Sequence, residues 1–236
     1  MLYEIFDHMH LCTDEAVREM LPLVSEQRRQ QALRYSHTFG RFCCLKSYLM
    51  LLELLSAVYP ELDTSKPEFG YTAQGKPFLL ARPDIHFSIS HTKNAILVAI
   101  SDAPIGVDIE AFRSPSAALI ARTMNATEQA AIATAAASAA SAASAASAAT
   151  PSGLLEPPGT REAHLEQPQA SGTPEALFSA IWTRKEAVLK LRGTGIEGDL
   201  KHVLSGSEAI FTRIFPRKSY AFSIAQQAIS PFEILH

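Results

Sequence analysis

Cysteine is scarce. Cys12, Cys43 and Cys44 are the only three in 236 residues. None stands in a C-x-x-C spacing, and Cys43 and Cys44 fall inside an apolar helical pattern. That argues against a structural zinc site and reads as buried thiols in a reducing compartment. Positive charge is not in excess: the formal net charge is -3, which argues against a nucleic-acid backbone binder. Long hydrophobic runs are missing too. Leu45 to Val58 comes nearest, but Lys46 and Glu53 interrupt it and it is too short to span a bilayer. Met1-Leu-Tyr-Glu-Ile-Phe-Asp-His has no basic region followed by an apolar run, so no signal peptide is expected. The expectation is a cytoplasmic protein with neither nucleic acid nor membrane as partner, long enough to bury a real core in one domain or two small ones.

The apolar pattern supplies the elements. Leu2 to Phe6 reads as a strand. The His8-x-His10 pair after it reads as a polar strand end, since no third metal ligand is near. Thr13-Asp14-Glu15 opens a helix with a capping hydroxyl and acids at the positive helix end. Ser25 begins a second. Thr38 precedes a long helix to about Val58, whose apolar positions Phe42, Leu45, Leu49, Leu52 and Leu55 recur at helical spacing. Arg41 lies in its first turn, where a cation opposes the helix dipole; it is either a solvated arginine or one held by an anion. Gly75-Lys76-Pro77 forms a turn with Lys76 at the tip. Ile85 to His91 alternates as a strand, with Ile85, Phe87 and Ile89 on one face and His86, Ser88 and Ser90 on the other. Asn94 to Ile100 is an apolar strand. Together these suggest an antiparallel sheet packed on the long helix.

Ile105-Gly-Val-Asp-Ile-Glu110 carries the chemistry. Side chains two apart on a strand share a face, so Asp108 and Glu110 point into one space. Two close carboxylates repel each other unless a cation sits between them, and Mg2+ is a natural occupant. By itself the spacing is a weak signal, since most such pairs are a solvated strand face. Farther on, Ser114 to Met124 and Thr127 to about Thr134 look helical. Residues 134–174, rich in Ala-Ala-Ser repeats and then in proline, read as a flexible low-complexity insertion, helical in part, that carries no chemistry. Pro174 suits a helix start, and the helix runs to about Arg192, with Glu186 and Lys190 four apart on one face. Gly193-Thr-Gly stops it. Ala209 to Phe215, Tyr220 to Ile224 and Phe232 to Leu235 read as short strands. The fold class is therefore α+β: two pseudo-duplicated halves, 1–112 and 113–236, each of helices packed on a small antiparallel sheet.

Phe87-Ser-Ile-Ser-His91, Gly106-Val-Asp-Ile-Glu110 and Trp182-Thr-Arg-Lys-Glu-Ala-Val-Leu-Lys190, with Gly75-Lys76-Pro77 as a fourth match, together resemble the two-half branch of the 4'-phosphopantetheinyl transferase superfamily. The resemblance implies transfer of the phosphopantetheine arm of coenzyme A to a serine of an apo acyl or peptidyl carrier protein, with release of adenosine 3',5'-bisphosphate. It implies that Asp108, Glu110 and Glu186 hold Mg2+, that Glu186 is the candidate base, and that Lys190 meets a phosphate oxygen. It also implies that His91, Lys76 and Arg41 surround the phosphates of coenzyme A, with Lys185 assisting electrostatically. Trp182 reads as a packing residue. A monomer is expected, with the active site between its two fused halves. The alternatives are a non-catalytic module that binds coenzyme A or a carrier, and a different Mg2+-dependent phosphoryl enzyme. The low-complexity insertion departs from the family pattern, so carrier docking is the part it alters.

Overall fold

The computed structural model describes residues 1–65, 67–148, 172–195 and 199–227. The first strand, β1 (Leu2–Phe6), is followed by α1 (Asp14–Met20), α2 (Glu26–Leu33) and the long α3 (Thr38–Val58). Next come the hairpin strands β2 (Phe69–Tyr71) and β3 (Pro77–Leu79), then β4 (His86–Thr92), β5 (Ala95–Ser101) and β6 (Ile105–Ala111). The second part holds α4 (Ala117–Thr123), α5 (Ala126–Ala148), α6 (Pro174–Arg192), β7 (Ala209–Phe215) and β8 (Tyr220–Gln226). Among the described residues no helix is long and apolar enough to cross a membrane.

Two three-stranded antiparallel sheets form the centre, in the orders β1-β5-β4 and β6-β8-β7. β5 is buried along its whole length, because it is the middle strand of a sheet covered on both sides. Ile96, Val98 and Ile100 pack with α1 and α3, alongside Leu45, Leu51 and Leu55. Ala95, Leu97 and Ala99 face the other way and meet Val107, Ile109, Phe222 and Ile224 of the second sheet. The far side of that second sheet carries α6, through Val188, Leu189 and Ala225. The layers therefore run helix, sheet, sheet, helix, and the strand alternation of the sequence reappears as one apolar face toward each neighbouring layer.

β6 pairs with β8, Val107 opposite Ile224 and Asp108 opposite Ser223. By sheet membership the last strand of residues 1–112 thus belongs with the second half. Its other edge lies against β4, and side chains bridge the gap. Ser88 and Thr92 hydroxyls accept from the backbone N–H groups of Val107 and Ala111 at 3.0 and 3.1 Å. Hydroxyls four residues apart on one face of β4 thus satisfy edge donors that would otherwise be buried and unpaired.

Caps follow the expected chemistry, with one shift. The Thr13, Ser25 and Thr173 side chains accept from the third residue beyond each. At α3 the cap is His37, whose ring accepts from Gly40 N, while Thr38 already lies inside the helix and bonds Asp14. α6 starts at Pro174 and ends on Gly193 in the left-handed region, as the sequence suggests. The insertion expected from 134 is helical over its first part. α5 continues through the Ala/Ser run to Ala148, since alanine forms helix without needing a buried face. The remainder of that segment, 149–171, and the expected strand Phe232 to Leu235 lie outside the described residues.

Candidate active site

Two elements build the site. On β6, Val107 and Ile109 turn toward the first sheet, so Asp108 and Glu110 turn toward α6. On α6, Trp182, Glu186 and Lys190 are four residues apart and share the face opposite them. The helix comes very close. A methyl group at Gly106 would collide with the backbone of Ala187 and Leu191, so only glycine allows α6 to cross β6 there.

Lys190 Nζ donates to Asp108 Oδ1 at 2.7 Å and to Ser90 Oγ at 3.0 Å, and Ser90 Oγ donates to Asp108 Oδ1 at 2.8 Å. Asp108 is 4% exposed and Glu186 9%. Asp108 Oδ2 and Glu186 Oε1 are the buried side-chain atoms, among the described residues, that have no hydrogen-bond partner. Buried carboxylate oxygens without partners are costly, and such oxygens are a fit for a hard cation. Among the described residues no three His, Cys, Asp or Glu side chains are grouped to hold an ion. The expected trio Asp108, Glu110 and Glu186 is therefore not a closed cage.

The electrostatics agree with this crowding. Burial pushes the Glu186 carboxyl above its ordinary range; Asp108 adds to that and Lys190 opposes it. Burial likewise raises Glu110, with Asp108 adding, while Arg113, Lys190 and a hydrogen bond from Trp182 pull it back. Trp182 also stacks on Phe178 with ring centroids 6.3 Å apart.

The other expected residues fall in three places. Lys76 does not project from its hairpin tip. Its Nζ donates to the carbonyls of Ile105 and Leu191 at 3.2 and 3.1 Å, where β6 begins and α6 ends. Burial lowers its pKa. With Pro77, Phe87, Glu186, Lys190 and Gly193 it lines a cavity of about 270 Å3 beside the carboxylates. His91 lies on the face of β4 opposite Ser90, its ring edge-on to Phe39 at 6.0 Å. Part of the ring is open to solvent, but the protein packed around it lowers its pKa, and Lys190 acts the same way. Arg41 donates from Nε to the Tyr35 carbonyl at 2.9 Å and lies at the protein surface.

Lys185 is a correction. It is fully buried, and its Nζ donates to Thr123 O, Leu200 O and Glu128 Oε2 at 2.8, 2.9 and 2.6 Å. All three donors are used, on the far side of α6 from the carboxylates. Adjacent residues on a helix do not face the same way, so proximity to Glu186 in sequence is not proximity in the site. Ser90 was not among the expected site residues. The sequence signal was there: serines at 88 and 90 in a strand otherwise apolar on its buried positions. Glu128 carries no comparable signal.

Residues 158–228 match the family model of the 4'-phosphopantetheinyl transferase superfamily. That span includes the α6 residues but not β6. Among curated proteins, the chain is similar to 4'-phosphopantetheinyl transferase psf-1 of Bacillus pumilus, 26% identical over 180 residues, or 76% of this chain and 62% of that protein. It is similar to 4'-phosphopantetheinyl transferase Sfp of Bacillus subtilis strain 168, 30% identical over 127 residues, 54% of this chain and 56% of that protein. 4'-Phosphopantetheinyl transferase gsp of Aneurinibacillus migulanus is 33% identical over 87 residues, 37% of this chain and 35% of that protein. The similarity thus spans less than two thirds of the length of each of these relatives. By its motifs, by the family model and by these relatives alike, the chain is similar to the 4'-phosphopantetheinyl transferase superfamily.

Proposed function

We infer that the chain transfers the 4'-phosphopantetheine arm of coenzyme A to a serine of an apo carrier protein, and that it needs Mg2+ to do so. The observation that carries this reading is the pair of buried, unpartnered oxygens, Asp108 Oδ2 and Glu186 Oε1, beside the Lys190 ammonium. Asp108 and Glu186 would hold the ion, with Glu110 next to them on β6. Mg2+ bound there supplies neutralisation of the pyrophosphate charge. Phosphoryl transfer needs positioning and charge stabilisation more than covalent help, and the residues present are suited to both.

Lys190, which is partly open to solvent, donates to phosphate oxygens as charge develops on them. Glu186, directly or through a water molecule, is the candidate base. It takes the proton of the carrier serine. The serine oxygen then bonds to the β-phosphorus, the bond to the bridging oxygen breaks, and adenosine 3',5'-bisphosphate leaves. The cavity bordered by Lys76 and Lys190 receives the nucleotide end. His91, with its lowered pKa, serves as a neutral hydrogen-bonding imidazole toward a coenzyme A phosphate. The protein acts as a cytoplasmic monomer.

The test is the intact mass of an apo acyl carrier protein after incubation with this chain, coenzyme A and Mg2+. The expected result is the gain of one phosphopantetheinyl group, lost with EDTA and lost in Asp108→Ala and Glu186→Ala variants. Normal transfer by both variants would overturn the site. Coenzyme A binding with no gain on fatty acid, polyketide or peptide carriers would favour the non-catalytic module instead. Release of adenosine 3',5'-bisphosphate without a carrier would mark another phosphoryl enzyme.

A further inference from the structure

We propose a second anion site, for a phosphate group, in a cavity lined by none of Ser90, Asp108, Glu186 and Lys190. The cavity holds about 440 Å3 and is lined by Asp7, His8, His10, Lys93, Lys218 and Tyr220 among others. Three chain segments from both sheets meet there: the end of β1, the turn between β4 and β5, and the connection from β7 to β8. Its floor is fixed, because Asn94 Nδ2 donates to the carbonyls of Lys218 and Ser219 at 3.1 and 3.0 Å.

The charge inventory gives the chemistry. Asp7 is the lining carboxylate, and it is already taken. Lys218 pairs with it and the Tyr220 hydroxyl donates to it at 3.0 Å. Although burial pushes its carboxyl up, those bonds hold it below the ordinary range. Asp7 and Lys218 therefore cancel. Lys93 remains, exposed and with no hydrogen bond or ion pair among the described residues. The rings of His8 and His10 meet edge to face at 5.8 Å; among the described residues no carboxylate hydrogen-bonds either, and His8 interacts with Asp7 through charge alone. A chain of net charge -3 thus has a concave spot where an unpaired ammonium stands beside two imidazoles. An ammonium and two ring N–H donors around one cavity suit the oxygens of a phosphate, free or as a small phosphomonoester. The inference does not depend on the transferase reading.

The experiment follows the imidazole ring NMR signals of the full chain during titration with inorganic phosphate at fixed ionic strength. His8→Gln and His10→Gln variants assign the signals. The His8 and His10 signals should move saturably, and Lys93→Gln should weaken binding by roughly tenfold, as loss of one charge-assisted bond implies. A parallel titration with glycerol 3-phosphate decides the source: tighter binding identifies a phosphomonoester, equal or weaker binding the free anion. Two results would overturn the site. One is static His8 and His10 signals while other histidines shift. The other is unchanged binding by a Lys93→Gln protein whose melting matches the unsubstituted chain.

Discussion

At the scale of single residues, two neighbours on α6 do opposite work. Lys185 is neutralised by Glu128 and enclosed by two backbone carbonyls. Removing it leaves a nearly buried carboxylate without a cation. Lys185→Met should therefore destabilise the protein by about 3 kcal/mol, read as a shift in the urea midpoint. Glu186 is the reverse case, a carboxylate kept in an unfavourable place. Its folded pKa lies above the ordinary value, so the folded state binds the proton more tightly than the unfolded one. The cost of ionising it is absent below the ordinary glutamate range and grows as pH rises through the raised pKa. Glu186→Gln should then melt higher than the unsubstituted protein at about pH 7.5, by the equivalent of about 0.5–2 kcal/mol, with the gain gone near about pH 4. The same variant should lose phosphopantetheinyl transfer. Melts at both values check the sign, and a variant less stable at the higher value would refute it. Added Mg2+ should raise the melting temperature of the unsubstituted chain and leave Glu186→Gln nearly unmoved.

At the scale of elements, the pairing of α6 with β6 is decided by small residues. Gly106 lies directly beneath the helix backbone, and Ala221, Ser223 and Ala225 of β8 are buried on the same sheet. Ser223 also bridges layers: its hydroxyl lies 2.9 Å from those of Thr183 and Thr212. Gly106→Ala should push α6 away from Asp108, costing about 2–3 kcal/mol and most of the transfer activity. Circular dichroism would show the helices retained while the melting temperature drops. A variant of normal stability and activity would show that α6 can shift freely. The reach of α5 is the opposite lesson. Ser138 and Ser141 on it are exposed, so its length comes from alanine propensity rather than from packing.

At the scale of the whole molecule, the two halves share their apolar surface. Leu97 and Tyr3 on one sheet pack with Phe222 and Val107 on the other, and hydroxyls from β4 bond the free edge of β6. Neither sheet could keep that face dry alone. The halves should therefore unfold together. Trp182, the one tryptophan, reports on the α6 layer by fluorescence, while ellipticity is dominated by helices of both layers. The two probes should give coincident urea transitions; separated midpoints would mean that the halves are independent.

The local periods and punctuation were legible in the chain itself. Helical spacing marked α3 and α6, alternation marked β4, and Pro174 and Gly193 marked the ends of α6, because these depend on neighbours a few residues away. The same rules placed Asp108 with Glu110, and Glu186 with Lys190. What joins the two pairs is not local. β6 turns from the first sheet to the second, and Gly106 admits α6 across it. Ser90 arrives from a third element to bind both Asp108 and Lys190. Lys185 shows the limit most plainly, since its partner Glu128 is far along the chain and on another helix. Residue order sets which side chains share a face; only packing sets which faces meet, because desolvation and hydrogen-bond satisfaction are properties of the assembled layers.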